Sequence, residues 1–193
     1  MEKHLEKYFS ATEEEPANLV LIGALKYVQS KNSALDLGAG ALRDTKHLLS
    51  YGFKKVTAVD KEPATQEIAR ELSHPNLVRI ISNFENFDFP EREYDLVNAQ
   101  FSLPFNSPES LNNILQKIKV SLKPGGVFTG QLFGVNDEWN IENMNRSFHT
   151  RQQVEEIFSD MDILNLKEVE KDSKTAVGLD KHWHFFNIIA RKK

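Results

Sequence analysis

The segment SALDLGAGALRDT, residues 33–45, constrains this chain more than any other. Ser33 to Leu37 reads as a short buried strand. Gly38, Ala39 and Gly40 make a tight turn, and the residues after them open a helix. Small residues let a ligand approach the backbone, and the free N–H groups at a helix start hold polar groups. Asp36 sharpens the reading. A carboxylate two residues before the first glycine faces a cation or a ribose and repels a pyrophosphate.

The spacing beyond the turn suits a nucleoside. Twenty residues after Gly40, the second expected strand KKVTAVD ends in Asp60. A carboxylate at the tip of that strand takes both ribose hydroxyls. The rival is a dinucleotide fold, but G-x-G-x-x-G counted from Gly38 needs a glycine where Arg43 stands.

At 193 residues the chain suits one domain, 1–193, with a sizeable core. It has no cysteine, which excludes disulfides, a thiol nucleophile and Cys-ligated zinc. The first residues, MEKHLEKYFSATEEEP, are polar, and no apolar run reaches the roughly 20 residues of a membrane span, so a cytoplasmic location and no membrane partner are expected. The net charge of −4 makes nucleic acid an unlikely partner. No interface stripe stands out, so a monomer or weak homodimer is expected.

Along the chain, strand and helix signals alternate. Helices are expected over Met1–Ser10, Pro16–Gln29, Leu42–Tyr51, Ala64–Leu72, Glu109–Leu122 and Arg151–Phe158. Strands are expected over Ala34–Leu37, Lys55–Val59, Leu77–Ser82, Asp95–Ala99 and Val127–Phe133. Lys123 to Gly126 reads as a turn. Gly134 to His149 is a long polar insertion. Two closing strands, Ile163–Glu170 and Trp183–Ala190, are joined by residues 171–182 without a helical pattern and form an antiparallel hairpin. The fold class is therefore α/β, a mostly parallel sheet with helices on both faces.

These segments together resemble the class I S-adenosylmethionine (AdoMet) methyltransferases. LDLGAG is similar to the family's glycine-rich first motif, Asp60 ends the second, SNFENFDFP resembles the third, YDLVNAQFSLPF the fourth, and LKPGGVFTGQLFG the turn and strand that follow. The ending HWHFFNIIARKK is similar to the tellurite-resistance TehB-like group and its small-molecule relatives. In that group a third glycine stands where this chain has Leu42. The resemblance implies a single-domain Rossmann-like seven-stranded sheet, order 3-2-1-4-5-7-6 with the last strand antiparallel. It also implies AdoMet as cofactor and S-adenosylhomocysteine as product.

By position, the resemblance places Gly38, Ala39 and Gly40 against the methionine and ribose of the cofactor and Asp36 toward its ammonium. Arg43 pairs with its carboxylate or is a plain surface arginine. Asp60 holds the ribose, Lys61 flanks the adenine, Asn83 accepts from the adenine amine, and Phe84 offers its backbone N–H. Gln100 and Phe101 wall the methionine end. The acceptor wall has three parts. One is the loop 134–149, with Trp139, Arg146 and His149. Another is the start of the last strand, with His182 and His184. The third is the N-terminal arm 1–15, whose Tyr8 and Phe9 act as a lid.

Histidine is the natural base near neutral pH, so His182 and His149 are the candidates for proton removal from the acceptor. His182 and His149 equally suit structural hydrogen bonding, and for His184 packing within the sheet is the first reading. No metal is expected, because no acidic partner for a His182–His184 pair is evident. The Asn/Asp-Pro-Pro-Tyr/Phe signature of DNA and protein N-methyltransferases is absent. A small-molecule acceptor is the expectation. The alternatives are a protein or RNA acceptor and a non-catalytic AdoMet-binding subunit.

Overall fold

The computed structural model describes residues 2–141 and 145–193, so residues 142–144 of the expected acceptor loop lie outside the described residues. Its strands are β1 (Ala34–Leu37), β2 (Val56–Asp60), β3 (Leu77–Ile81), β4 (Tyr94–Ala99), β5 (Leu122–Gly134), β6 (Phe148–His149), β7 (Met161–Lys174) and β8 (Asp180–Lys192). Its α-helices are α1 (Glu2–Thr12), α2 (Leu19–Leu25), α3 (Arg43–Tyr51), α4 (Pro63–Leu72), α5 (Pro108–Ser121) and α6 (Arg151–Ile157). A short 3-10 turn, Leu103–Phe105, follows β4.

The sheet runs β3-β2-β1-β4-β5-β8-β7, the expected order for the seven long strands. β8 is antiparallel to both neighbours. The difference is β6, two residues parallel to the end of β5 through Phe133 and Gly134. β5 runs past the last β4 pair, Ala99 with Gly130, and its extension meets the returning loop instead. That pairing satisfies backbone groups that would otherwise be left without partners.

β1, β2 and β4 are buried along their whole length, as central parallel strands require. On one face Leu21, Leu25, Leu48 and Phe53 of the α2–α3 side pack on Ala34, Leu96, Val127 and Ile189. On the other, Leu115 and Ile118 of α5 and Val154 of α6 pack with Phe128, Leu132, Phe186 and Ile188. Two faces of apolar side chains thus fix which way each strand residue points.

Three expectations need correction. The helix expected over Pro16–Gln29 is only Leu19–Leu25. Asn18 starts it by accepting from the Val20 N–H, while the Asn18 N–H donates to Asp44, so the preceding chain is drawn toward α3 instead of coiling. Lys123 to Gly126 lies inside β5 as an irregularity, where Tyr94 faces Leu122 and Leu96 already faces Val127. The closing hairpin is far longer than expected. β7 and β8 stay paired out to Lys174 with Asp180, leaving only residues 175–179 as the connection. Alternating charge in KEVEKDSK hides this ladder from a hydrophobic pattern, because both its faces lie mostly in solvent.

Candidate active site

The turn after β1 is shaped by contacts that only glycine permits. Gly38 has φ +76, and a Cβ there would lie 2.3 Å from the Cβ of Ser102. The Ser102 hydroxyl donates to the Leu37 carbonyl at 2.7 Å, which brings the segment after β4 hard against the turn. Gly38 and Ala39 N–H groups both donate to the Val59 carbonyl, tying the turn to β2. Leu42 stands where a glycine is usual in the TehB-like pattern, yet keeps the left-handed backbone, φ 61 and ψ 18. That conformation costs a non-glycine residue roughly 1–2 kcal/mol. Complete burial of the Leu42 side chain beside Ala39 and Ala58 offsets it.

Asp60 sits at the tip of β2 and is nearly buried. One carboxylate oxygen accepts from the Gly40 N–H at 2.8 Å and the other from the Glu62 N–H at 2.9 Å. These bonds aim the group while each oxygen retains capacity for a second donor, as a ribose diol requires. Below the turn lies a buried acidic pair. Asp36 accepts from the Thr45 hydroxyl at 2.5 Å and the Asn98 amide at 2.8 Å. Asp44 accepts from the Arg43 guanidinium at 3.0 and 3.3 Å. Burial, and next the Asp44 carboxylate, push Asp36 up to about 7, against the two hydrogen bonds and the Arg43 charge. Tyr8 of α1 closes this cleft, whose other walls include Asp36, Gly38, Gly40, Arg43 and Gln100. Burial raises the Tyr8 hydroxyl, with Arg43 opposing, so it stays protonated at neutral pH.

Beyond Gln100 the walls change to rings. Phe101 packs edge-on against Trp183 at 5.8 Å and Phe185 at 5.1 Å. Trp183 in turn meets Trp139 at 5.5 Å, and Trp139 meets Phe133 and Phe105. Two cations lie on this cluster. Lys181 is 3.9 Å from the Trp183 ring centre and 4.3 Å from that of Trp139. The Arg146 guanidinium is 4.5 Å from the Trp139 centre and 5.3 Å from that of Phe105. Lys181 forms a fully buried ion pair with Asp137, which also accepts from the Trp139 and His184 N–H groups. This pair fastens the loop after β5 to β8.

The methyltransferase-domain family matches residues 34–126, which run from the first residue of β1 into β5 and contain the turn, Asp60 and Gln100. Just under half of the chain thus matches a methyltransferase domain, and its fold is that of solved AdoMet-dependent methyltransferases. AdoMet is the cofactor of such domains, and the cleft fits it, with a Gly38 position where a Cβ would clash with Ser102 and a carboxylate aimed from the second strand. Alpha N-terminal protein methyltransferase 1 of Caenorhabditis elegans is 35% identical over 48% of this chain and 41% of its own length. Two solved structures share the fold. One is the 1,6-didemethyltoxoflavin-N1-methyltransferase of Burkholderia thailandensis with bound S-adenosylhomocysteine, at 22% identity and TM-score 0.72 over 90% of this chain and 76% of that one. The other is TehB from Haemophilus influenzae, at 20% identity and TM-score 0.75 over 90% and 61%. The chain spans between 29% and 54% of the length of the curated relatives it matches.

Around the methyltransferase cleft, the structure brings Tyr8, Asp36, Gly38, Ala39, Gly40, Arg43 and Gln100 together, with Asp60 bonded to the same turn. Lys61 is exposed. Asn83 is exposed too, and its side-chain oxygen accepts from the Asn86 N–H at 3.0 Å, with capacity for a second donor. The Phe84 ring lies beside Gly38.

The histidine expectation is overturned by the hairpin's register. On β8, His182 and His184 share a face with Phe186 and Ile188, which pack toward α5 and α6, whereas Trp183 and Phe185 face Phe101. His182 is held by Asp172 at 2.8 Å and Glu170 at 3.2 Å, both on β7. These two hydrogen bonds raise its pKa, Asp172 first. His184 is buried, accepts from the Asn136 N–H at 3.0 Å and contacts Glu168 at 3.0 Å. Neither lines the cleft, because both imidazoles lie on the face opposite Trp183 and Phe185 and bond to β7. His149 lies in β6, where burial depresses its pKa, opposed by the Phe133 backbone carbonyl toward which the ring donates. Among the described residues, no group of three or more metal-ligating side chains could hold an ion. No helix among them is long and apolar enough to cross a membrane.

Proposed function

We propose that this chain transfers a methyl group from AdoMet to a small-molecule acceptor. The observation that carries the reading is adjacency. Gln100 walls the cofactor cleft and Phe101, the next residue, opens the ring cluster, so a cleft for the sulfur nucleoside and a cluster of aromatic rings meet at the end of β4. When bound, the cofactor supplies a methyl already activated on a sulfonium. The residues of the chain then supply binding, alignment and exclusion of water. Alignment alone is worth roughly 7–11 kcal/mol.

In this reading Asp60 holds the ribose and Asp36, with Asp44 behind it, faces the methionine ammonium. Arg43 stays with Asp44, and that pair keeps the acidic floor from excess negative charge. Tyr8 covers the cleft from α1. Trp139, Trp183, Phe105 and Arg146 receive the acceptor, whose nucleophile brings its own lone pair, since His182 and His184 point away. The loop after β5 is fastened down by Asp137 and Lys181, which favours a small acceptor over a chain lying in an open groove.

A protein acceptor is the second reading, favoured by the relative named an N-terminal protein methyltransferase and by the half-exposed Phe105 and exposed Ile141 on the cluster's rim. Mass spectrometry after incubation with AdoMet separates the two. Methylation within a panel of aromatic acids, phenols and thiols, with none on peptides, supports the first reading. Methylation of peptides alone would replace it with the second.

A further inference from the structure

One buried polar side chain lines neither the cleft nor the ring cluster. Gln131 lies in the middle of β5 and is 1% exposed. An uncharged amide so deep must find partners, because an unsatisfied one costs on the order of 1–3 kcal/mol. Its partners form a line across four neighbouring strands. The Gln131 amide nitrogen donates to Gln100 at 2.8 Å and to Asn187 of β8 at 3.0 Å. Gln100 donates to Asn98 at 2.7 Å, and Asn98 donates to Asp36 at 2.8 Å. The Gln131 oxygen accepts from the Phe101 backbone N–H at 2.9 Å.

The direction of this line is set at one end. A backbone N–H only donates, so Gln131 must turn its oxygen toward Phe101 and its NH2 toward Gln100. Gln100 then offers its oxygen to Gln131. Each amide thereby has one orientation, and networks of this kind hold side chains in place as a unit. The Phe101 contact adds a second demand. Phe101 has φ 49, a left-handed conformation uncommon for an aromatic residue and maintained only by its surroundings.

We propose that Gln131 is a positioning residue that couples the two halves of the site. Its amide fixes Gln100, a wall of the cofactor cleft, and its oxygen holds Phe101 in the backbone conformation that presents the ring to Trp183 and Phe185. The proposal rests on the methyltransferase reading of the cleft, and it assigns to β5 a role that the loop residues do not share.

The test is a titration with S-adenosylhomocysteine at several pH values, read by calorimetry and by tryptophan emission, on Trp139→Phe as the parent so that Trp183 alone reports. Gln131→Leu is expected to weaken binding about tenfold at every pH and to shift the Trp183 emission to the red. Gln131→Glu has nearly the same shape but, once ionised, cannot donate. Its deficit against the parent at the same pH is expected to be about tenfold at pH 8.5 and to shrink toward pH 6, where the protonated form donates again. Asn187→Leu, which leaves Gln100 and Phe101 in place, stays within about twofold of the parent.

Parent-like affinity and emission in both Gln131 variants would overturn the proposal. So would equal losses in Gln131→Glu and Gln131→Leu at all pH values, or an equal loss in Asn187→Leu, since each would reduce the role to packing. A parent that binds no S-adenosylhomocysteine would refute the cofactor reading itself. Circular dichroism confirms that each variant is folded.

Discussion

On one side of Gln100 the site is built of backbone and carboxylate, and on the other of aromatic rings and cations. The proposed cofactor side consists of Gly38, Gly40, Asp36 and Asp60, all at strand ends of the family-matched region 34–126. The proposed acceptor side consists of Phe133, Trp139, Lys181 and Trp183, all beyond that region. A nucleoside is recognised by hydrogen bonds at fixed spacing, so its side is tightly specified by short motifs. A cluster of aromatic rings is specified by volume and closure, which many sequences provide. The difference implies that the halves can be damaged separately.

The largest separate effect is expected at Lys181. Lys181→Met leaves Asp137 buried without its cation and is predicted to cost about 3–5 kcal/mol of stability. The double variant Lys181→Met, Asp137→Asn, which removes the unpaired charge and keeps an acceptor for the backbone N–H groups, is predicted to recover most of it. Chemical denaturation measures both, and affinity for S-adenosylhomocysteine in the folded fraction should stay within about twofold of wild type. A large loss of affinity would mean the halves are not separable.

Asp60→Ala reverses the pattern. Losing charge-assisted hydrogen bonds to the ribose predicts an affinity drop of about 100-fold by calorimetry, near 2.7 kcal/mol. Tryptophan emission from the ring cluster is predicted to be unchanged. Leu42→Gly tests the turn more finely. It relieves roughly 1–2 kcal/mol of left-handed strain but empties a buried site worth about 2–5 kcal/mol, so a net destabilisation of about 2 kcal/mol is expected. A stabilised variant would show that strain, not burial, dominates there.

These contrasts also show what a linear chain reveals. Gly38, Asp36 and Asp60 were legible because their chemistry depends on spacing within one strand–turn–helix unit and on the tip of the next strand. The sheet order followed from alternating strand and helix signals. The acceptor side was legible only as a list of residues. Period two assigned His182 and His184 to one face and Trp183 to the other, as observed, but the sequence did not say which face meets the cleft. The long charged hairpin concealed where β8 begins. The Asp36–Asp44 pair was missed because the turn between them brings two nearby carboxylates together only in three dimensions, and the Gln131 line because it joins residues far apart in sequence. Their one local signal is polar side chains, Asn98, Thr129 and Gln131, at inward positions of otherwise apolar strands.

The smallest predicted effect is on pH. Asp36 has a folded value of about 7 against an ordinary 3.8. Between these values the folded protein keeps a proton that the unfolded chain has released. The stability from this group is therefore full below the ordinary value and is lost as pH rises through about 7. A bound ammonium favours the carboxylate, so affinity for S-adenosylhomocysteine is predicted to rise up to about tenfold from pH 6 to pH 8. Asp36→Asn should flatten both profiles, and a wild-type affinity that is flat or falls with pH would remove Asp36 from the ammonium.

The most direct measurement is calorimetric titration of the wild-type chain with AdoMet, S-adenosylhomocysteine and NAD. Micromolar binding of both sulfur nucleosides, with none of NAD, is the predicted result. Binding of NAD, or no binding of either sulfur nucleoside, would contradict the account at the turn from which it starts.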